Sequence, residues 1–261
     1  MLKKLIVIGT SILILVSCAT SPLGRSQLNL VSPNQLDKMG SQAFETLKQE
    51  KPIETRRNVN RYVTCIANAV AKVSNSPVKQ WEVVVFRDKS ANAFALPGGK
   101  VGVHTGLLKI AENQHQLAAV IGHEIAHVLA NHSNERVSQE MALQQGLALV
   151  QILSNTQTQA GQQLMGLLGL GAQVGILLPY SRLHESEADE LGLYLMAQAG
   201  FNPKESVRLW QNMSRSGGGK APEFLSTHPS HDTRIARLNQ VMDQAMSFYQ
   251  QARGKKPRCR L

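Results

Sequence analysis

The run from Leu117 to Ala130 reads Leu-Ala-Ala-Val-Ile-Gly-His-Glu-Ile-Ala-His-Val-Leu-Ala. A helix of this composition is apolar on nearly every side and therefore buried. It takes two imidazoles and a carboxylate into the interior with it, and buried polar groups need partners. His123 and His127 are four residues apart, so on a helix both rings project from one face and can reach one metal ion. Glu124, beside the first histidine, can reach a water on that metal without being a ligand. This H-E-x-x-H spacing suits zinc with a carboxylate general base. The alternative is a pair of core histidines bonded to backbone carbonyls.

Catalytic zinc usually takes three protein ligands. The third is best supplied by the segment Ser181 to Gly192, Ser-Arg-Leu-His-Glu-Ser-Glu-Ala-Asp-Glu-Leu-Gly, which reads as the start of a second helix. Glu185 and Asp189 share a face. Glu185 can be the ligand while Asp189 accepts a hydrogen bond from the far ring nitrogen of a ligand histidine, an outer contact that sets tautomer and basicity. His184 is a rival ligand, ranked below Glu185. Glu187 and Glu190 are expected only to complement the helix dipole.

Together these segments resemble the gluzincin zinc peptidases of the HtpX, BepA and CAAX prenyl protease type. That family carries H-E-x-x-H on one helix and E-x-x-x-D, often within S-R-x-x-E-x-E-A-D, on a later one. Ser181, Arg182, Glu185, Glu187, Ala188 and Asp189 stand at the matching places. Asn92 to Gly99, then Val101, Val103, Gly106 and Leu107, resemble the strand and turn ahead of the zinc helix, and Thr227-His228-Pro229 with Arg234 resembles a downstream H-P segment. The resemblance implies one zinc ion per chain, with His123, His127 and Glu185 as ligands and Glu124 as base. It also implies a groove role for His228, as oxyanion donor or as occupant of the open zinc position at rest. Read without the family, His228 before Pro229 is held out of the helical region. That predicts an exposed ring ahead of a helix opened by Ser230 or Asp232, and such a histidine is more often inert.

The N-terminus decides where this chemistry is expected. Lys3 and Lys4 precede an apolar stretch from Leu5 to Val16, shorter than a permanent span and typical of a secretory signal. Leu15-Val16-Ser17-Cys18 resembles a bacterial lipobox, so residues 1–17 read as signal peptide and Cys18 as the lipidated first residue of the mature protein. Several acyl chains give stable attachment. Ala19, not Asp, follows the cysteine, so the resemblance to lipoproteins implies the outer membrane, facing the periplasm. Residues 18–32, small and polar, read as a tether. In that oxidising compartment Cys65 and Cys259 suggest one disulfide, the alternative being two unrelated thiols. The formal net charge is +10, densest in the tail 253–261, which reads as a solubilising segment able to meet anionic lipid. No nucleic-acid motif accompanies it, so nucleic acid is a poor partner.

Periodicity predicts an α+β domain over residues 33–252, mainly helical, with a small sheet beside the zinc helix. Helices are expected at 33–49, 54–73, 114–132, within the Gln- and Gly-rich stretch 137–178, and at 183–199, 203–214 and 231–252. Strands are expected at 81–86, 93–96 and 100–103 around the Pro97-Gly98-Gly99 turn. The segment Ala95, Leu96, Pro97, Gly98, Gly99 is the candidate exposed edge for pairing with an extended peptide, the alternative being a purely structural hairpin. No tetratricopeptide pattern follows, so the chain reads as a minimal secreted member. The family resemblance implies protein or peptide substrates, in envelope quality control that touches outer-membrane assembly. The competing readings are a chaperone-like lipoprotein with structural zinc and a zinc amidase acting on the cell wall.

Overall fold

A computed structural model of the chain describes residues 18–154, 181–216, 223–228, 234–252, 254 and 256–261. It opens with an antiparallel hairpin, β1 (Cys18–Thr20) and β2 (Ser26–Leu28). Ser32 and Gln35 then form a reciprocal capping box, with Pro33 in the first turn, and start α1 (Pro33–Glu50). Helix α2 (Arg57–Val73) buries Val59, Tyr62, Val63, Ile66, Ala67 and Val70, a three-four repeat that makes one apolar stripe. Strands β3 (Glu82–Phe86), β4 (Ala93–Leu96) and β5 (Lys100–His104) form one sheet in the order β3-β5-β4. β5 runs parallel to β3 and antiparallel to β4, with Phe94 opposite Gly102. The β4–β5 turn needs Gly98 and Gly99, whose φ of 77° and 74° lie in the left-handed region.

Asn113 accepts the backbone N–H of His115 and Gln116 and starts α3 (Gln114–Leu129), the H-E-x-x-H helix. It is buried without a break from Gln116 to His127. Helix α4 (His132–Ser154) follows, then α5 (Arg182–Gln198), whose Ser181 cap accepts from the His184 N–H. Helices α6 (Lys204–Ser216), α7 (Glu223–Thr227), α8 (Arg234–Gln240) and α9 (Met242–Gln251) complete the described residues. The helices α2, α3, α5 and α6 share one apolar core with the inner faces of the sheet, the α+β arrangement expected.

Helices α3 and α5 cross where Gly122 meets Gly192. A Cβ on Gly192 would lie 2.6 Å from the His123 backbone nitrogen, and one on Gly122 would lie 2.8 Å from the Gly192 carbonyl oxygen. Only two glycines allow backbones this close. The crossing sits one residue from His123 and one turn from Asp189.

Four expectations differ. The zinc helix stops at Leu129, not at His132: Asn131 takes a φ of 52°, which asparagine tolerates, and His132 begins a new helix. The last helix is two, interrupted at Val241. Residues 18–32 are not a free tether. Beyond the hairpin, the Leu30 N–H donates to Ser138 at 2.7 Å and Asn134 donates to the Val31 carbonyl at 2.7 Å, so α4 holds this segment. The basic tail is likewise pinned: Cys259 is buried and disulfide-bonded to Cys65 on α2, and the Cys259 N–H donates to Gln114 at 2.9 Å. The Gln- and Gly-rich stretch from residue 155 onward, and the candidate helix openers Ser230 and Asp232, lie outside the described residues. Among the described residues, no helix is long and apolar enough to cross a membrane.

Candidate active site

Helix α3 presents His123 and His127 from one face, as four-residue spacing requires. Their Nε2 atoms are 3.0 Å apart. Across the glycine crossing, α5 brings Glu185 to the same point: its carboxylate oxygens lie 3.5 Å from His123 Nε2 and 3.4 Å from His127 Nε2. His228, just after α7, completes the cluster, with Nδ1 at 3.3 Å from His123 Nε2 and 3.0 Å from Glu185 Oε1. These four are the group of donors able to hold a metal among the described residues. Tetrahedral zinc with ligand arms of about 2.0–2.1 Å sets its ligand atoms roughly 3.3–3.4 Å apart. The observed separations fall on both sides of that value, and the mixed nitrogen and oxygen set is one zinc accepts.

Outer contacts orient the donors. His123 Nδ1 lies 2.9 Å from Asp189 Oδ1, where its N–H donates to the carboxylate. Arg234 then donates to Asp189 Oδ2 from Nε at 2.6 Å and to Glu185 Oε2 from Nη2 at 2.7 Å, while its guanidinium lies over Trp210. Arg234 is buried, so its charge offsets two carboxylates that water cannot reach. Burial alone would raise the Glu185 carboxyl, yet the surrounding histidines hold it far below the usual carboxylate range. A donor oxygen that stays ionised suits a cation.

Glu124 stands apart from the donors. Its Oε2 accepts the Ala95 N–H of β4 at 3.1 Å, which ties the zinc helix to the strand edge. Its Oε1 is buried, makes no hydrogen bond among the described residues and lies 3.5 Å from His228 Nε2. Burial raises the Glu124 carboxyl from its ordinary value, which moves a carboxylate toward the range useful to a base near neutrality. A buried carboxylate oxygen placed beside a metal-donor cluster is able to accept a proton from a group that enters between them.

Two expectations change here. His228 is buried, not exposed, because its ring stacks on Phe224 with centroids 4.4 Å apart. The candidate edge is closed at Ala95, which is buried with its N–H committed to Glu124; Leu96, Pro97 and Gly98 are half-buried. Pro97 and Gly98 help line a cavity of about 670 Å³ that reaches His127.

Other residues, two of them weighed in the sequence, take their places around the site. His184 is not a ligand: its Nε2 lies 3.1 Å from Glu135 and its ring stacks on His132. Glu187 does more than complement the helix dipole; it is buried among Ser21, Arg25 and His132. Only a neighbouring signal existed for Arg234, its place after the His228-Pro229 pair. Nothing in the pattern marked Arg25, since its partners are more than 100 residues away.

Comparison with known proteins agrees with this geometry. Peptidase family M48 matches residues 57–242. The mitochondrial metalloendopeptidase OMA1 of Schizosaccharomyces pombe is 35% identical over 226 residues, covering 85% of this chain and 65% of that protein. OMA1 of Arabidopsis thaliana is 34% identical over 192 residues, 72% of this chain and 37% of the relative. The beta-barrel assembly-enhancing protease of Yersinia pestis is 27% identical over 230 residues, 84% of this chain and 47% of the relative. The chain thus spans from about a third to just under two thirds of the length of these relatives. The matched region holds His123, Glu124, His127, Glu185 and His228 together with the helices that converge them, and the chain belongs to peptidase family M48.

Proposed function

We propose that this chain is a zinc-dependent endopeptidase, anchored to the bacterial outer membrane through lipid on Cys18 and acting from the periplasmic side on misfolded or misassembled envelope proteins. The observation that carries the catalytic part is the pairing of a four-donor cluster with the orphaned Glu124 oxygen. A structural zinc site has no use for such a base, which weighs against a purely chaperone-like role. His123, His127 and Glu185 would hold zinc, which supplies Lewis acidity for activating water and polarising a carbonyl. Glu124 takes the proton at Oε1 while the Ala95 N–H fixes its other oxygen. Asp189 and Arg234 keep His123 and Glu185 in place. His228 would occupy the open zinc position at rest, a reading supported over that of an oxyanion donor by its place in the donor cluster. An extended peptide would run past Leu96–Gly98 into the cavity that reaches His127.

The placement rests on the lipobox-like Leu15–Cys18 and on Ala19. The envelope role rests on likeness to the beta-barrel assembly-enhancing protease, whose name points to β-barrel assembly as the partner process. The test is Glu124→Gln. The variant should retain zinc and lose casein cleavage by a large factor, because the donors survive and the base does not. A zinc-loaded variant with full activity would remove Glu124 from the chemistry. Release of muropeptides by the wild type without casein cleavage would move the activity to the cell wall.

A further inference from the structure

The two zinc-donor histidines are oriented differently. His123 leans directly on a carboxylate, Asp189. His127 Nδ1 lies 2.9 Å from Nδ1 of His132, and His132 Nε2 lies 3.1 Å from Glu187 Oε2. With the His127 Nε2 turned to the donor cluster, its Nδ1 carries the proton and donates to His132. His132 is then the neutral tautomer with hydrogen on Nε2, and it donates onward to Glu187. The geometry admits one consistent direction for both hydrogen bonds. His132 is fully buried and Glu187 nearly so.

The relay ends on the N-terminal hairpin. Arg25 donates from Nε to Glu187 Oε2 at 2.9 Å, and from Nη1 and Nη2 to both oxygens of Glu135 at 2.7 and 2.6 Å. Ser21 donates to the other Glu187 oxygen. Gln27 donates to the Ala130 carbonyl at 2.5 Å and to Glu135 at 3.0 Å. The hairpin therefore holds both the far end of the relay and the Asn131 turn that folds His132 back onto His127. A guanidinium fork spanning two buried carboxylates fixes both in position and direction.

We propose that His132 and Glu187 are positioning residues for the zinc donor His127, and that Ser21, Arg25 and Gln27 of the hairpin after Cys18 lock this relay, making the hairpin part of the metal-site scaffold. This rests on the zinc-peptidase reading above. It extends that reading to a segment outside residues 57–242, to which the family match is confined.

Zinc affinity tests it, measured on the full chain in detergent by competition with a chromophoric chelator. His132→Ala should weaken zinc binding about 10–100-fold, the range for loss of an outer partner of a ligand histidine. Arg25→Ala should weaken it less, because Ser21 still holds Glu187. Val70→Ala, a fully buried core substitution on α2, is the stability control: it should lower the melting temperature and leave zinc affinity unchanged. Wild-type affinity in folded His132→Ala overturns the proposal, as does an equal loss in the Val70→Ala control. If His132→Ala does not fold, Glu187→Met decides: it is similar in size and removes the carboxylate that accepts from His132, so unchanged affinity in the folded variant overturns the relay. Failure of the wild type to bind zinc at all would instead sink the zinc reading itself.

Discussion

Gly192→Ala tests whether the glycine crossing assembles the site. The added Cβ would stand 2.6 Å from the His123 nitrogen, 2.8 Å from its Cα and 2.9 Å from the Gly122 carbonyl carbon. Unstrained carbon contacts begin near ~3.5 Å, so the helices must part by about 0.9 Å, and no side chain can rotate away to absorb it. Overpacking of this kind costs about 1–3 kcal/mol, with the upper end expected for backbone against backbone. The intrinsic gain of alanine over glycine in a helix offsets about 1 kcal/mol. The net loss is about 2 kcal/mol, a fall in melting temperature of roughly 4–8 °C for a domain of this size. The loss of function should be larger than the loss of stability. His123 is on α3 and Glu185 on α5, so the same displacement opens the donor set, and misplacement of ~1 Å can cost ~10²-fold in turnover. Zinc competition, calorimetry and peptide cleavage on one preparation check this. A Gly192→Ala protein with wild-type melting and zinc affinity would show that the crossing has slack and that the site is positioned by something else.

His228→Ala should leave the protein folded and raise basal peptide turnover at matched zinc content, because a donor leaves the fourth corner; a fall of ~10²–10³-fold would instead make His228 an oxyanion donor. Burial opposes it, but the Arg25 fork and Gln27 hold the Glu135 carboxyl below its ordinary value, with His184 adding to the same effect. A lowered carboxylate contributes stability above its unfolded pKa and loses it as pH falls through the folded one. Glu135→Gln should therefore melt well below wild type near neutrality, and the gap should close in acid below roughly pH 4; a gap that is constant with pH refutes the ion pair. Cys18→Ser should abolish incorporation of labelled palmitate and release the protein from outer-membrane fractions, and unchanged labelling would refute the anchor.

The chain by itself determined what short-range chemistry can determine. Four-residue spacing put His123 and His127 on one helix face and Glu185 and Asp189 on another. The Ser32, Asn113 and Ser181 caps and the Gly98-Gly99 turn are local, so the helices that these caps open begin within a residue of where periodicity placed them, although α3 ends earlier. Tertiary structure decided the rest because its interactions join residues far apart in sequence. The left-handed turn at Asn131, one residue in an otherwise helical pattern, sends His132 behind His127. Arg25 meets Glu135 and Glu187 across 110 and 162 residues, so the stretch that looks like a polar tether by composition is a folded strap. His228 is buried because Phe224 stacks on it, and Ala95 is lost to a peptide partner because Glu124 already occupies its N–H. Composition reports which groups a segment carries; only packing determines which of them still lack a partner.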